Sequence, residues 1–342
     1  MIDVATSMPG TPTDPQRRAA LLHVKLRALV REHLGEAPVD PPGADVAPFG
    51  RGAAMVVGDT AWVLLDDKHE RGLGGALAWA MKHPRVRHVA VITEAASGVL
   101  ARRAALFSGD ISVWHAVERL LVPAVEDPYP PPMAVDPRHE GLRALIVAGG
   151  AEPIVEYGVL AGEVRGLEVC RAVTDAYTDE VRLEVGVGAH DREAFLMLHG
   201  ARPTVEALAD VARTVATHRQ LGAALHPLNR FGAERFLRWR VLEEPALIGA
   251  TGLAVADPPV PRLNVKDPVP CVAVGHDASG AAIVAVCSTG IDLDLVPFAA
   301  DARAMHASAA RLVLVVPERD AAAVTKSLAG GLRQPADIVT LP

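Results

Sequence analysis

Val89-Ala90-Val91-Ile92-Thr93-Glu94 and Val313-Leu314-Val315-Val316-Pro317-Glu318 are the two stretches whose reading decides the fold. Each is a short, uninterrupted run of β-branched and aliphatic residues, the pattern of a strand covered on both faces, as parallel strands are. Each also sits in the same series of elements. Outward from the first, the sequence predicts a hairpin turning at Gly58-Asp59-Thr60, then a helix over 73–82. The strand 88–93, a helix over 98–107 and a strand over 111–114 follow. Outward from the second, the turn is His276-Asp277-Ala278-Ser279-Gly280. A helix over 294–305, the strand 312–316, a helix over 320–328 and a strand over 338–341 complete the series. Asp110-Ile111-Ser112-Val113 lies on Asp337-Ile338-Val339-Thr340 in the same comparison. Strand–helix–strand succession implies parallel pairing through right-handed crossovers. The fold class is therefore α/β: two similar ββαβαβ units at the chain ends, read as copies of one another.

Proline divides the chain. The stretches 124–140, with Pro130-Pro131-Pro132, and 256–269, with Pro258-Pro259, cannot lie within helices or central strands, because proline fixes φ and lacks a donor. They read as linkers. Residues 15–123 form the first unit and 270–342 the second, flanking an α+β middle segment over 141–255 with an antiparallel sheet. Strands are predicted there over 144–147, 153–160, 162–173 and 181–187, then helices over 191–198, 204–221 and 228–242. Residues 1–14 read as a disordered tail. A helix over 15–34 follows, with Leu22, Leu26, Leu29 and Val30 at helical spacing and Arg17, Arg18, Lys25, Arg27 and Arg31 elsewhere on its surface.

Composition bounds the function classes. Of the 342 residues, 50% are apolar and 22% charged, which suits a chain with a real core and excludes the disordered class. A net charge of −7 argues against a chain-wide nucleic-acid footprint. No apolar run approaches the roughly 18–20 residues that span a bilayer. The N-terminal stretch lacks the charged and apolar regions of a signal peptide, so a cytoplasmic location is expected. Cys170, Cys271 and Cys287 lie in apolar surroundings without metal-ligand spacing, and free buried thiols are expected.

The strongest chemical constellation is acidic. Alternation along a strand sets Leu167 and Val169 on one face and Glu168 on the other; Glu184 likewise opposes Leu183 and Val185. Paired strands then present Glu168 and Glu184 together. Glu156 and Glu163 stand on the preceding hairpin, and His190, Asp191 and Glu193 follow. Converging carboxylates suit Mg²⁺ or Mn²⁺, and such an ion activates water for phosphodiester cleavage. In that reading Glu156, Glu168 and Glu184 hold the metal, and Glu168, Glu184 and Asp191 are catalytic. Arg230, Arg235 and Arg238 hold phosphate or nucleic acid, with Phe231, Phe236 and Trp239 among them to stack on bases. Nucleases of the restriction-endonuclease-like class pair an acid with an acid-x-Lys tripeptide. Glu184-Val185-Gly186 has no lysine, and that weighs against the reading. The competing expectation is that these acids are solvated or paired with Arg171 and Arg182, and the helical arginines with Glu234, Glu243 and Glu244.

Asp59 with Asp66-Asp67-Lys68, and Gly72-Leu73-Gly74-Gly75 at a helix start, are weaker signals: turn carboxylates commonly cap backbone, and the glycine spacing is neither GxGxxG nor a Walker loop. No GxSxG or other nucleophile motif is present. With no catalytic signature complete, the sequence favours a non-catalytic binding or adaptor protein with a protein or nucleic-acid partner. The alternative is the metal-dependent phosphodiesterase.

Overall fold

The computed structural model describes residues 14–35, 47–50, 52–66, 70–188, 191–192, 204–222, 227–229, 231–261 and 269–342. The chain divides into two compact units, residues 1–127 and 128–342.

The first unit runs α1 (Asp14–Leu34), β1 (Ala47–Phe49), β2 (Gly52–Val57), β3 (Thr60–Leu64), α2 (Leu73–Ala80), β4 (His88–Thr93), α3 (Ser97–Ala104), β5 (Asp110–Val117) and β6 (Leu120–Pro123). The sheet order is β1-β2-β3-β4-β5-β6. β3, β4 and β5 are parallel; the β1–β2, β2–β3 and β5–β6 pairs are antiparallel. The spacing of Leu22, Leu26, Leu29 and Val30 puts them on one stripe of α1, buried against Ala53, Met55, Trp62, Leu64, Ala90 and Ile92. Each such leucine withdrawn from water contributes roughly 1.5–3 kcal/mol. The polar face of α1 is tied down by Arg18 to Asp66 and by Lys25 to Glu94 at 2.7 Å.

The second unit opens with α4 (Pro137–Glu140) and α5 (Arg143–Ala148). β7 (Glu152–Glu156), β8 (Val159–Val164), β9 (Leu167–Thr174) and β10 (Val181–Val185) follow, then α6 (Thr204–His218). These four strands form an antiparallel sheet in the order β10-β9-β8-β7. The unit continues with α7 (Ala233–Glu243), β11 (Gly252–Ala256), β12 (Cys271–His276), β13 (Ala282–Cys287), α8 (Leu295–His306), β14 (Arg311–Pro317), α9 (Ala323–Gly330) and β15 (Asp337–Leu341). Its second sheet is ordered β11-β12-β13-β14-β15. β11, β12 and β13 are antiparallel; β13, β14 and β15 are parallel.

The first five strands of the six-stranded sheet and the five of this last sheet thus share order and direction. Their helices match as well. α1 and α7 precede their sheets and cover one face. α2 and α8 connect the third and fourth strands; α3 and α9 connect the fourth and fifth. The α/β class stands on these pairings. The residue alignment shifts, however: by one in the fourth strand and by two in the fifth, where Ser112 and not Asp110 corresponds to Asp337. Ala90 and Ile92 face α1, whereas Val313 and Val315 face α7, so Ala90 corresponds to Val313 and Val89 does not. A one-residue slip turns every strand side chain to the wrong face.

The middle sheet differs from its expected outline. The run over 144–147 is not a strand: it lies in α5, which buries Ile146 under the sheet beside Leu208, Ala212 and Val215 of α6. The two long strands expected over 153–173 are three, broken at Tyr157-Gly158 and Arg165-Gly166. All four of these residues have positive φ (48°, 71°, 50° and 75°). Such paired left-handed residues make two-residue hairpins, which sequence reading recognises most readily as Asn-Gly or Asp-Gly. Of the helix expected over 191–198, only Asp191 and Arg192 lie among the described residues.

Candidate functional site

β8 and β9 do not pair in simple register. Gly162 stands opposite Cys170, yet Glu163 stands opposite Glu168, leaving Val169 as an extra residue in β9. This is a bulge, and it resets the alternation beyond it. Leu167, Val169, Cys170 and Ala172 all turn into the apolar layer with Leu183 and Val185. Glu168 and Arg171, three apart, are thereby brought to the other face, where Glu184 stands directly opposite Arg171. Glu168 and Glu184 do share a face. The tight packing opposite requires Gly162: a Cβ there would lie 2.5 Å from Cys170 Sγ and 2.7 Å from Ile146 Cγ2.

The shared face carries guanidinium groups among its carboxylates. Arg171 grips Glu168 with two bonds of 2.8 Å from Nε and Nη2. Arg192 reaches Glu168 at 3.1 Å and Glu184 at 3.5 Å. Arg182 bonds Glu184 at 2.9 Å and Asp175 at 2.7 Å. Glu156 and Glu163 belong to a second cluster, closed by α7. Arg235 donates to Glu163 at 2.5 Å and Glu156 at 2.6 Å. Arg238 donates to Glu156 at 2.5 Å and to both oxygens of Glu163 at 3.2 Å. Arg238 is wholly buried, and Glu168 is 2% exposed. Burial alone would make a guanidinium easier to deprotonate; Glu163 and Glu156 reverse this, and Arg235 and Arg238 are held above their ordinary range. The Glu156–Glu163 half of this face is an ionic layer sealed by a helix; in the Glu168–Glu184 half every acid is paired with arginine, while Arg171, Arg182 and Glu184 stay partly exposed.

α7 makes this layer because its two faces differ. Leu237 and Val241 pack into the other sheet, against Cys271, Ala273, Ile283 and Val313. Arg235 and Arg238 point back to the acids. Where local spacing pointed to Glu234, Glu243 and Glu244, Arg235 and Arg238 pair with Glu156 and Glu163, 72 to 82 positions earlier in the chain. The neighbouring aromatics are engaged internally too. Phe236 stacks on Trp239 with centroids 5.5 Å apart, Arg165 lies 5.6 Å over Trp239, and Arg219 lies 5.3 Å over Phe236. Arg219 donates to the carbonyls of Arg165, Leu228, Phe231 and Gly232, and burial lowers it to about 10.

Asp191 accepts from the Val187 N–H at 2.7 Å and joins neither cluster. Arg230, Asp67, Lys68, His190 and Glu193 lie outside the described residues. Among the described residues, no group of three or more His, Cys, Asp or Glu side chains is placed to hold a metal ion. Cys271 and Cys287 face each other across β12 and β13, and all three cysteines are free and buried. Burial pushes the Cys170 thiol up to about 12, which makes it inert as a nucleophile at neutral pH.

One chain of side chains escaped sequence reading. His88 Nδ1 lies 3.1 Å from Asp110 Oδ2, and its Nε2 lies 2.9 Å from Ser112 Oγ. The atom order is that of a Ser–His–Asp triad. Trp114 Nε1 also donates to Ser112 Oγ, at 2.8 Å. The last sheet explains the arrangement. His88 is two residues before Ala90, which pairs with Ser112; Arg311 is two before Val313, which pairs with Asp337. Arg311 Nε bonds Asp337 at 2.8 Å. An imidazole–hydroxyl bond and an ion pair thus occupy one position, a diagonal tie between neighbouring parallel strands. Arg311 stands where His88 does, Asp337 where Ser112 does and Pro335 where Asp110 does, so a tie forms at this position with no triad residue in its triad place, as a structural role requires.

An open depression of about 650 Å³ lies over β11–β13, with Ala254, Val274 and Val284 on its floor and His276 and His306 among its lining. His306 Nε2 donates to the Asp257 carbonyl at 2.7 Å, so that nitrogen carries the proton. No helix among the described residues is long and apolar enough to cross a membrane. No family model, curated protein or solved structure matches the chain.

Proposed function

We propose that the chain is a non-catalytic binding or adaptor protein built from two α/β sheets of like topology, the arginine-sealed acids of the middle sheet serving to hold α7 in place. One observation carries this reading: Glu156, Glu163, Glu168 and Glu184 are each engaged by at least one guanidinium. A cation would have to displace arginines from a low-dielectric site, leaving buried positive charge uncompensated, and that is costly. The phosphodiesterase reading needs those oxygens free.

The test is a thermal melt with Mn²⁺ or Mg²⁺. A bound ion raises the midpoint by mass action; the proposal expects no rise, and no difference between the wild type and Glu184→Ala in their response. A metal-dependent rise lost in that variant restores the enzyme. A pull-down from native lysate, with and without nuclease treatment, then separates a protein partner from a nucleic acid.

A further inference from the structure

The two like sheets differ at one edge. In the first unit β5 has a neighbour on each side: β4 in parallel and β6 antiparallel, joined by the tight turn Glu118-Arg119. In the second unit the corresponding strand, β15, pairs with β14 and, among the described residues, with no other strand. Among the described residues, its outer row of N–H and C=O groups therefore has no ladder partner. Such an edge is a template for strand addition.

The first sheet shows what fits there. β6 runs antiparallel to β5, with Leu121 opposite Ala116 and Val122 opposite His115. Leu121 turns toward the core beneath α1, while Leu120 and Val122 stay exposed. At the matching place in the last sheet, Val339 and Leu341 face α7, with the half-buried Leu242 packed against the same cluster. An added antiparallel strand would lay every second side chain on that apolar flank. Pro335 and Pro342 bracket the five residues of β15, which limits the addition to a short segment.

We infer that the outer edge of β15 is a docking site for an extended, apolar segment of a partner protein. The segment pairs antiparallel through its main chain and inserts one aliphatic side chain beside Leu242 and Val339. This rests on the binding-protein reading above and names the chemistry of the partner. Main-chain bonds supply affinity in such complexes, and alternate side chains supply specificity.

The probe is a fluorescent peptide spanning Glu118–Ala124, the strand that fills the equivalent edge, titrated with the full chain and followed by anisotropy. Saturable binding is expected, weakened about tenfold or more by Leu121→Asp in the peptide or Thr340→Pro in the protein, as loss of one or two net contacts requires. Because a proline in β15 threatens the sheet itself, a second measurement uses Thr340→Cys, an exposed position, with a peptide carrying cysteine. Cross-linking should favour the antiparallel register over the parallel one. Absence of saturable binding, cross-linking without register preference, or concentration-dependent dimerisation of the chain through this edge overturns the assignment. If the peptide fails while Mn²⁺ remains without effect on the melt, the edge assignment alone falls and the non-catalytic reading stands.

Discussion

At the scale of single residues, Arg238 has the largest expected consequence. It is fully buried and bonded to both Glu156 and Glu163. Removing one member of a buried ion cluster strands the others without water, at a cost of about 3–5 kcal/mol. Arg238→Ala should lose about that much in a denaturant titration. Replacing the whole cluster with apolar residues of similar volume (Arg238→Met and Arg235→Leu with Glu156→Leu and Glu163→Met) should recover most of the loss. A quadruple variant no more stable than Arg238→Ala would show the charges to be needed for packing as well. Ser112 is the opposite case. If the His88–Ser112 bond is a strand tie, Ser112→Ala costs roughly 1–3 kcal/mol, the two net hydrogen bonds that the hydroxyl makes with His88 and Trp114. A fluorophosphonate probe should then leave Ser112 unlabelled; covalent labelling there would make the Asp110–His88–Ser112 chain a nucleophile after all.

At the scale of elements, the β9–β10 hairpin has a titratable lock. Asp175 accepts from Arg182 and from the Tyr177 and Thr178 N–H groups, and these bonds hold its carboxyl well below the usual range. A depressed folded-state value means the contribution is fully present above the unfolded value, roughly pH 4, and is lost as pH falls further. Amide exchange in residues 175–182 should quicken as pH drops below roughly 4 beyond its intrinsic rate, and Asp175→Asn should remove that dependence. Equal acid sensitivity in the variant would move the lock elsewhere. Elements also show what the sequence made legible. The strand 88–93 was readable to the residue, because a buried parallel strand is a bare apolar run between breakers. The run over 144–147 was misread because four apolar residues fit a strand or a helix equally well, and only the neighbouring α6 decides. The shared face of Glu168 and Glu184 was visible from alternation. Arg171 and Arg182 were legible as their partners, lying on the same two strands. Arg192 was not, nor was the grip of Arg235 on Glu156 and Glu163, because both arginines arrive from other elements and no local spacing announces them. The tie between His88 and Ser112 depends on inter-strand register, which periodicity does not contain.

At the scale of the whole molecule, the chain holds two units: the first has a buried cluster around Leu26 and Ile92, and the second has one around Leu160 and Val169 and another around Val241 and Val313. Calorimetry should resolve two transitions, since each unit has its own buried cluster and chains of several units depart from two-state behaviour. Leu26→Ala, a cavity worth about 2–5 kcal/mol, should shift one transition, and Arg238→Ala the other. Both variants moving a single common transition would show the units melting as one.

The extra residue at Val169 has a consequence for how this chain tolerates changes in length. Loops absorb insertions and deletions readily, and strands seldom do. Here the odd residue is what keeps Cys170 and Ala172 on the oily side and Arg171 on the charged one. Deleting it would exchange those two sides for half of β9, driving a guanidinium into hydrocarbon. Relatives of this protein that differ in length within the middle sheet should therefore gain or lose residues in pairs at this strand, or keep the odd one.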